Sequence, residues 1–416
     1  MGDGSRKSTA KRPRVTPVSL SAGDLFDLVR TGAAGSRSDL RRLSGLSRTA
    51  VTARVAALSE AGLVVLGEDR PSTGGRPATG VMLNAEAGVV LAAAVGRSRT
   101  QVAVFDLAGR ELAAASLDHA HGSGPEEVLP PAVRRLAELC ADLSGSGPVL
   151  GVGVSLPGTV DPARGVSIDS PVMGGWDEVA LAPYVAAVEA FAEAPIFVGN
   201  DADVLARSER MGHAQEFSDL LVVKASTGLG LGIIAEGRVV SGHRGAAGEI
   251  GHTKVDDAAG LPCRCGDTGC LETVAGGWAL VARLEEEGRP VDHVRDLVAR
   301  ALTGDAEAKH LLRESGRRLG DVLGVAINLL NPEAVVLGGD MAGAFDVYAA
   351  GVRESVYARS SALATSGLQV LPATFGDRAG VVGCAAMALD QVLRPSAIDA
   401  RLVQEKVGPV GLEPTT

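Results

Sequence analysis

Three of the five cysteines in this 416-residue chain lie within eight residues, at Cys263, Cys265 and Cys270. His252 precedes them by eleven positions. Three thiolates and one imidazole make a complete tetrahedral ligand set for a structural Zn²⁺ ion. The segment is therefore predicted to fold as a rigid metal knuckle. The alternatives are a redox pair or chance clustering, but a disulfide across Cys-x-Cys is strained and rare in a reducing compartment.

Two carboxylates bracket the cysteine cluster, at Glu249 and Glu272. The predicted metal site does not need them. Glycines at 260, 266 and 269 supply the permissive backbone that a tight knuckle requires. A carboxylate held beside such a rigid element is suited to binding hydroxyl groups, so Glu249 and Glu272 are candidates for ligand recognition.

The composition excludes several classes of protein. Hydrophobic residues make up 46% of the chain and aromatic residues 3%, which permits large cores and argues against a base-stacking surface. The polar, basic N-terminus does not read as a secretory signal, and the longest apolar run, 89–95, is too short to span a bilayer. Cys140 and Cys384 stand alone, so no disulfide framework is implied. We expect about three domains in a cytoplasmic protein that does not contact a membrane.

The charge is distributed unevenly along the chain. Residues 1–83 contain 13 Lys and Arg against 7 Asp and Glu, a net charge of +6. The remaining residues contain 27 against 43, a net charge of −16. A basic N-terminal region on an acidic body predicts that the N-terminal region binds a polyanion and that the body does not.

The basic region has the pattern of a winged helix–turn–helix domain over residues 20–83. Ser21 can cap a first helix, 38–43 forms a second, and Ser47 can cap a third over 48–59. Two short apolar strands follow at 63–66 and 81–83. Residues 1–19 are predicted to be disordered, either as a tail without function or as an arm that adds phosphate contacts.

The third helix and the wing are the predicted DNA-binding surface. Short polar and guanidinium side chains on the helix can contact base edges or phosphates. The wing sequence around Arg76 can place one guanidinium in a minor groove. The alternative is a protein-interaction domain. The predicted DNA-binding residues are Ser47, Arg48, Thr49, Thr52, Arg54 and Arg76.

The body alternates strands with helices, which predicts an α/β architecture. Buried strands at 149–155, 196–198, 220–225 and 334–337 end in glycine or polar residues, where open α/β sheets bind ligands. Asn200 and Asp201 follow one strand; Asp201 is either a general base or a helix cap. The turn 227–230 offers bare amides that can hold a phosphate, although many hairpins contain such glycines.

These segments together resemble the ROK family of sugar-responsive repressors and sugar kinases. The resemblance rests on A-A-G-E-I-G-H (246–252) and C-R-C-G-D-T-G-C-L-E (263–272), with S-L-P-G-T-V-D (155–161), N-D-A (200–202), S-T-G-L-G (226–230), N-P-E-A-V-V-L-G-G (331–339) and G-V-V-G-C-A (380–385) in family order. It implies an actin-like, hexokinase-like body with two lobes. The smaller lobe would comprise 86–205 and 379–395, the larger lobe 206–378 with the zinc knuckle, and 396–416 a C-terminal tail.

The resemblance also implies roles for single residues. The sugar would contact Asn200, Asp201, Glu249, His252 and Glu272, with Asp201 as the base of a kinase. His252 would bind zinc through one ring nitrogen and face a sugar hydroxyl with the other, its tautomer fixed by the metal. A nucleotide phosphate, if one binds, would lie against Thr227, Gly228, Gly230, Gly338 and Gly339.

One departure from the family pattern weakens the kinase interpretation. Family kinases carry D-x-G-G-T in the first hairpin turn, where this chain has Ala94-Val95-Gly96-Arg97-Ser98. Without the aspartate, the turn cannot coordinate magnesium. Without the second glycine, its backbone cannot closely approach a phosphate. The predicted function is therefore a regulator, a homodimer or homotetramer that binds a double-stranded operator and a sugar or sugar phosphate. A glucokinase-like enzyme using ATP and Mg²⁺ is the alternative. Arg97 and Arg99 are either surface arginines or contacts for an anionic ligand.

Overall fold

The computed structural model describes residues 20–70, 78–120, 122–143, 145, 147–161, 164–169, 174–243 and 245–407. These residues form two compact units. The first unit contains residues 20–84 and 393–407, and the second contains residues 85–392. The predicted disorder of residues 1–19 falls outside the described residues.

The first unit begins with three capped helices and a hairpin. They are α1 (Ala22–Arg30), α2 (Arg37–Ser44), α3 (Arg48–Glu60), β1 (Val64–Arg70) and β2 (Ala78–Leu83), with the two strands antiparallel. Ser21, Ser36 and Ser47 each accept a hydrogen bond from a backbone N–H three residues on, which starts each helix. Gly45 ends α2 with a φ of 68°. The predicted helix–turn–helix and its hairpin strands are confirmed; the wing tip, 71–77, lies outside the described residues.

The second unit contains two five-stranded sheets. The first half comprises β3 (Val89–Val95), β4 (Arg99–Asp106), β5 (Glu111–Asp118), α4 (Pro125–Asp142), β6 (Val149–Leu156), β7 (Thr159–Asp161), β8 (Val166–Asp169), α5 (Ala182–Ala186), β9 (Ile196–Asn200) and α6 (Asp201–Glu209). Its large sheet has the order β5-β4-β3-β6-β9, in which β3, β6 and β9 are parallel.

The second half repeats that topology. It comprises β10 (Leu220–Ala225), β11 (Leu229–Ala235), β12 (Arg238–Val239), α7 (Glu272–Ala275), α8 (Gly277–Glu286), α9 (Val294–Leu302), α10 (Ala306–Leu330), β13 (Ala334–Gly338), α11 (Phe345–Arg359), β14 (Gln369–Pro372) and α12 (Ala379–Val392). The sheet order β12-β11-β10-β13-β14 matches the first sheet strand for strand. The body is thus a duplicated α/β fold, as the resemblance implies. The exact lobe boundaries stay predictions.

Two helices join the halves of the second unit. Helix α6 packs against β10 and β11 of the second sheet and against α12, and α12 packs on β3 and β6 of the first sheet. Helix α12 packs closely against α6 and β6 because glycines lie at the contacts. A Cβ on Gly383 of α12 would overlap the Val204 carbonyl of α6, and a Cβ on Gly153 of β6 would overlap the Cys384 carbonyl of α12. The ends of both sheets are therefore held at a fixed spacing.

A helix that the sequence did not reveal, α13 (Pro395–Val407), belongs to the first unit. It packs against α1, where the Asp399 carboxylate accepts a hydrogen bond of 2.8 Å from the Gly23 backbone N–H. Ile398 and Leu402 are buried, with 1% and 8% of their surface exposed. The prediction of a tail from residue 396 was therefore wrong for 396–407. Local sequence missed the helix because its apolar residues acquire a partner only through the fold.

Replacing Gly23 with alanine is expected to separate α13 from α1. The added Cβ would overlap the Pro395 carbonyl oxygen, which belongs to rigid backbone. Overpacking of this kind costs about 1–3 kcal/mol, so we expect the first unit to unfold earlier on heating and DNA affinity to fall. Hydrogen exchange of α1 amides measures the effect. Gly174→Ala, at a position with open space around it, is the control; equal protection in both variants would contradict the packing argument.

No single described helix is both long and apolar enough to cross a membrane. The consecutive helices α12 and α13 reach that threshold only when they are counted together.

Candidate functional site

A cleft of about 920 Å³ opens in the second unit at the ends of its two sheets. Strand ends supply most of its wall, because both sheets turn the carboxyl ends of their parallel strands toward it. The five predicted sugar contacts all line the cleft: Asn200, Asp201, Glu249, His252 and Glu272. The fold therefore brings together residues that are up to 72 positions apart in the chain.

Asn200 and Asp201 lie where β9 passes into α6. The Asn200 side-chain oxygen caps α6 by accepting a 2.7 Å hydrogen bond from the Asp203 backbone N–H. Asp201 is not the cap; its carboxylate forms an ion pair with the ammonium group of Lys224, from strand β10 of the second sheet. The helix-cap role considered for Asp201 thus falls to Asn200, and Asp201 faces the cleft already paired with a cation.

Glu249 directly precedes a short 3₁₀ turn, Ile250–His252, and His252 is its last residue. His252 directs Nε2 toward a Glu249 carboxylate oxygen at 3.9 Å and Nδ1 toward the Cys263 sulfur at 3.7 Å. Enclosure by the cleft walls raises the pKa of Glu249, although 43% of its side-chain surface is exposed; His252 opposes this shift, and nearby carboxylates add to it. Nδ1 of His252 thus faces the cysteine cluster, and Nε2 faces Glu249 in the wall of the cleft.

Glu272 is the buried anchor of the cleft, with 7% of its surface exposed. One carboxylate oxygen accepts a 3.0 Å hydrogen bond from the Leu229 backbone N–H, and the other accepts a 2.9 Å bond from the Trp278 indole N–H. A Cβ on Gly228 would lie 2.6 Å from the Glu272 carboxylate. Glu272 therefore fixes the β10–β11 turn against α8, and each oxygen keeps a second lone pair for a ligand.

The four predicted metal ligands meet in one cluster. The ligand atoms of His252, Cys263, Cys265 and Cys270 all lie within 4.8 Å of one another. The Cys265 and Cys270 sulfurs are 3.8 Å apart. A tetrahedral zinc ion with Zn–S bonds of about 2.3 Å places its sulfur ligands about 3.8 Å apart, so the donor set and its spacing suit Zn²⁺. Cys263 and Cys270 are buried and Cys265 is exposed.

The glycines assigned to a phosphate line the cleft, but packing explains several of them. Thr227, Gly228, Gly230, Gly338 and Gly339 are all lining residues. A Cβ on Gly230 would lie 2.7 Å from the Ala202 Cβ, and one on Gly339 would lie 2.5 Å from the Ala225 carbonyl oxygen. Packing of Gly230 against α6 and of Gly339 against the end of β10 thus requires both positions to be glycine whether or not a phosphate binds.

Three side chains that the sequence did not single out also line the cleft, those of Arg264, His293 and Arg295. Arg264 stacks over the Trp278 ring at 4.5 Å, and His293 and Arg295 stand at the start of α9. Burial and the positive charge of Arg264 lower the pKa of Arg97, while Glu272 opposes the shift. Arg264 lies inside the cysteine motif 263–272 and His293 outside any motif, and only the fold places either residue at the cleft.

In the first unit, the start of α3 presents the predicted DNA-binding residues. Ser47, Arg48, Thr49 and Thr52 are exposed. Arg54 is half-buried and donates a 3.2 Å hydrogen bond to the Ala50 carbonyl, so it is less available than the sequence suggested. Arg76 lies outside the described residues. The DNA-binding roles stay predictions.

Comparison with known proteins relates most of the chain to one family. A family model described as the ROK family matches residues 90–391. The N-acetylglucosamine repressor of Escherichia coli O6:H1 is 30% identical over 342 residues, covering 77% of this chain and 80% of that protein. A crystal structure described as a ROK family transcriptional regulator, homolog of the E. coli MLC protein, matches with a TM-score of 0.75 and 27% identity over 92% of this chain and 98% of that chain.

A ROK family glucokinase from Streptomyces griseus, solved in complex with glucose and AMPPNP, matches with a TM-score of 0.59 and 28% identity. The match covers 72% of this chain and 98% of the glucokinase chain. The match to the regulator extends over more of the chain than the second unit alone contains, whereas the match to the kinase does not.

Proposed function

The chain belongs to the ROK family, and we propose that it is a sugar-responsive, DNA-binding transcriptional regulator that represses carbohydrate-metabolism genes. The observation that carries the proposal is the joining of a winged helix–turn–helix unit to a sugar-type cleft whose first hairpin turn holds Arg97 instead of glycine. Similarity to the E. coli N-acetylglucosamine repressor supports it. We propose that a sugar binds against Asn200, Asp201, Glu249, His252 and Glu272 and shifts the equilibrium between two states of the protein that differ in DNA affinity.

Operator binding tests the regulatory function. Arg48 is exposed in the first turn of α3, on the predicted groove-facing side. We expect Arg48→Ala to weaken binding to operator fragments selected from a random DNA library by about 10- to 100-fold. Wild-type binding should fall steeply with salt, since phosphate contacts release counterions. Arg238→Ala, exposed in the second unit, is the control. Unchanged DNA affinity in Arg48→Ala would show that α3 is not the recognition helix.

An ATP-dependent sugar kinase with a DNA-binding head is the second candidate. Asp201, the surviving turn 226–230 and the similarity to a glucokinase favour it. The Asp201–Lys224 ion pair opposes it, because the ammonium group competes with a sugar hydroxyl for contact with the carboxylate. Ala94 also offers no carboxylate for magnesium. A coupled ATPase assay with hexoses decides: we expect no turnover, whereas turnover that disappears in Asp201→Asn would establish the kinase.

We propose that the cluster of His252, Cys263, Cys265 and Cys270 holds a structural Zn²⁺ ion. The thiolate-rich donor set and its spacing support zinc over magnesium or calcium, which prefer oxygen ligands. Zinc on Nδ1 of His252 would fix the tautomer, leaving Nε2 as a donor or acceptor toward the cleft. Metal analysis of the purified protein is expected to return about one zinc per chain, and a chain purified without metal would refute the assignment.

We further propose that the protein works as a homodimer or homotetramer in the cytoplasm. A two-fold assembly would present two winged helix units to an inverted repeat. Apolar side chains exposed on α10 and after α11 offer a candidate contact: Val325 is 59% exposed, Leu329 78% and Leu363 85%. Sedimentation of the wild type against Leu329→Glu tests this surface; a monomeric wild type would exclude the assembly.

A further inference from the structure

One sulfur of the cysteine cluster is accessible from outside. Cys265 is exposed, whereas Cys263 and Cys270 are buried. Cys265 also lines the cleft, directly after Arg264, whose guanidinium stacks on Trp278. A small oxidant that enters the cleft therefore meets the Cys265 sulfur before it meets the other two. Because oxidation of cysteine follows thiolate character and exposure, Cys265 is the member of the cluster most open to modification.

Cys270 lies where it can form a bond with Cys265. Their sulfurs are 3.8 Å apart, and a disulfide requires about 2.0 Å. The loop between them begins with Gly266 and ends with Gly269, whose φ angles are 86° and 80°. A Cβ added to Gly266 would meet no atom within 4 Å. The loop therefore has the backbone freedom and the space to bring the two sulfurs together.

The contacts around the cluster favour this pairing over the others. The Lys254 ammonium group donates to the Cys270 sulfur at 3.2 Å and to the Thr268 carbonyl at 2.6 Å, which holds Cys270 in place. The Cys263 sulfur lies 3.7 Å from Nδ1 of His252. A disulfide between Cys263 and Cys265 would span a strained Cys-x-Cys segment. The sulfur that is free to move is therefore that of Cys265.

We propose that Cys265 and Cys270 form a reversible disulfide when hydrogen peroxide reaches the empty cleft. The Cys265 thiolate attacks one peroxide oxygen, the O–O bond breaks, and the departing hydroxide takes up a proton to become water. The Cys270 thiolate then attacks the resulting sulfenic acid of Cys265. The S–S bond forms as the hydroxyl group leaves, and it too becomes water. Two thiolates are oxidised by two electrons, and the peroxide is reduced to two water molecules.

The disulfide would remove two of the four ligands of the proposed zinc ion. His252 and Cys263 do not complete a structural zinc site, so the ion is released and His252 loses its fixed orientation. The first unit contains none of these residues, so operator binding persists while the response to sugar is lost. This inference rests on the proposed zinc site and sugar sensing, and adds control by oxidants. Because Cys265 lines the cleft, a bound sugar protects it.

The test treats the full-length, zinc-loaded protein with hydrogen peroxide. A chromogenic chelator follows zinc release, and mass spectrometry of unreduced peptides maps the disulfide. We expect about one zinc released per chain, a Cys265–Cys270 peptide, and reversal of both by dithiothreitol with added zinc. Glucose, N-acetylglucosamine and xylose are first titrated by calorimetry. Any of them that binds should, at ten times its Kd, slow oxidation by about 10-fold.

Two variants separate the pair from general oxidation. Cys265→His keeps four zinc ligands but lacks the exposed thiolate, so it should retain zinc and release it at least about 10-fold more slowly under peroxide. Cys140→Ser, outside the cluster, is the control and should release zinc as the wild type does. Mapping of the wild-type disulfide decides the pairing without either variant.

Each result bears on one proposal. A Cys263–Cys270 bond, sulfinic acid at Cys265 without a disulfide, zinc retained under peroxide, or equal release from Cys265→His would overturn the redox pair. A sugar that binds without slowing oxidation would overturn the protection by ligand. A protein purified without zinc that still forms the Cys265–Cys270 bond would uphold the pair and refute the proposed zinc site. If no sugar binds, the sensing function fails while the disulfide result stands.

Discussion

Replacing Cys270 with serine is expected to remove zinc from the protein and to abolish its response to sugar, while operator binding persists. Cys270 is fully buried, its sulfur lies 3.8 Å from that of Cys265, and a serine hydroxyl is a poor zinc ligand at neutral pH. Zinc–thiolate bonds would hold the loop that carries His252, and metal binding contributes directly to folding free energy. We expect the unfolding transition of the second unit to fall by about 10 °C.

Metal analysis and ligand-induced thermal shifts measure these effects. Cys140→Ser is the matched control, because Cys140 is half-buried and lies outside the cluster. The first unit has its own core and none of the metal ligands, so the DNA affinity of Cys270→Ser should stay within about threefold of wild type. A variant that retains zinc would refute the four-ligand site; one that loses zinc but keeps its sugar response would show that the knuckle does not support the cleft.

Replacing Glu272 with alanine is expected to eliminate sugar binding and to destabilise the second unit. The change leaves the Leu229 backbone N–H and the Trp278 indole N–H without their acceptor. Each buried, unsatisfied donor costs about 1–3 kcal/mol. The β10–β11 turn and Trp278 then lose their common anchor, and with Trp278 the support of Arg264. We expect sugar affinity to fall by more than about 100-fold, because the ligand also loses a carboxylate contact.

Calorimetric titration with the cognate ligand and thermal unfolding check this expectation. Glu286→Ala, exposed on α8, is the control for the loss of a carboxylate near the same helix. If Glu272→Ala unfolds like wild type and only ligand binding is lost, Glu272 contacts the ligand without anchoring the cleft. If ligand binding is retained, the assignment of Glu272 to the sugar site fails.

Local signals in the sequence predicted much of the secondary structure and the metal cluster. Ser21 and Ser47 mark helix starts because a side-chain oxygen satisfies a backbone N–H three residues away. The cysteines and His252 fall within 19 positions, so a short loop suffices to bring them together. Strands such as β13 are continuous apolar runs, and their ends predicted the cleft because parallel strands share an edge.

Local signals could not show how some residues are packed, and the predicted roles of Gly230 and Arg54 stay predictions. Gly230 was attributed to a phosphate, but the Ala202 side chain beside it already requires a glycine. Arg54 was expected to face DNA freely, but it is half-buried and bonded to its own helix. Residues 396–407 were assigned to a tail, because α13 acquires its apolar partner, α1, only from the other end of the chain.

The sequence alone determined which chemical groups the chain possesses: the proposed zinc ligands, the motif of the proposed sugar site, the basic winged helix and the altered turn at Arg97. These features depend only on residue types and on short spacings along the chain, so they do not depend on the tertiary structure. The tertiary structure decided how those groups are paired. It placed Lys224 on Asp201, Trp278 under Arg264 and Arg264 near Arg97. Those pairs join residues that are 14 to 167 positions apart, and only the packing of the duplicated sheets brings such distant side chains into contact.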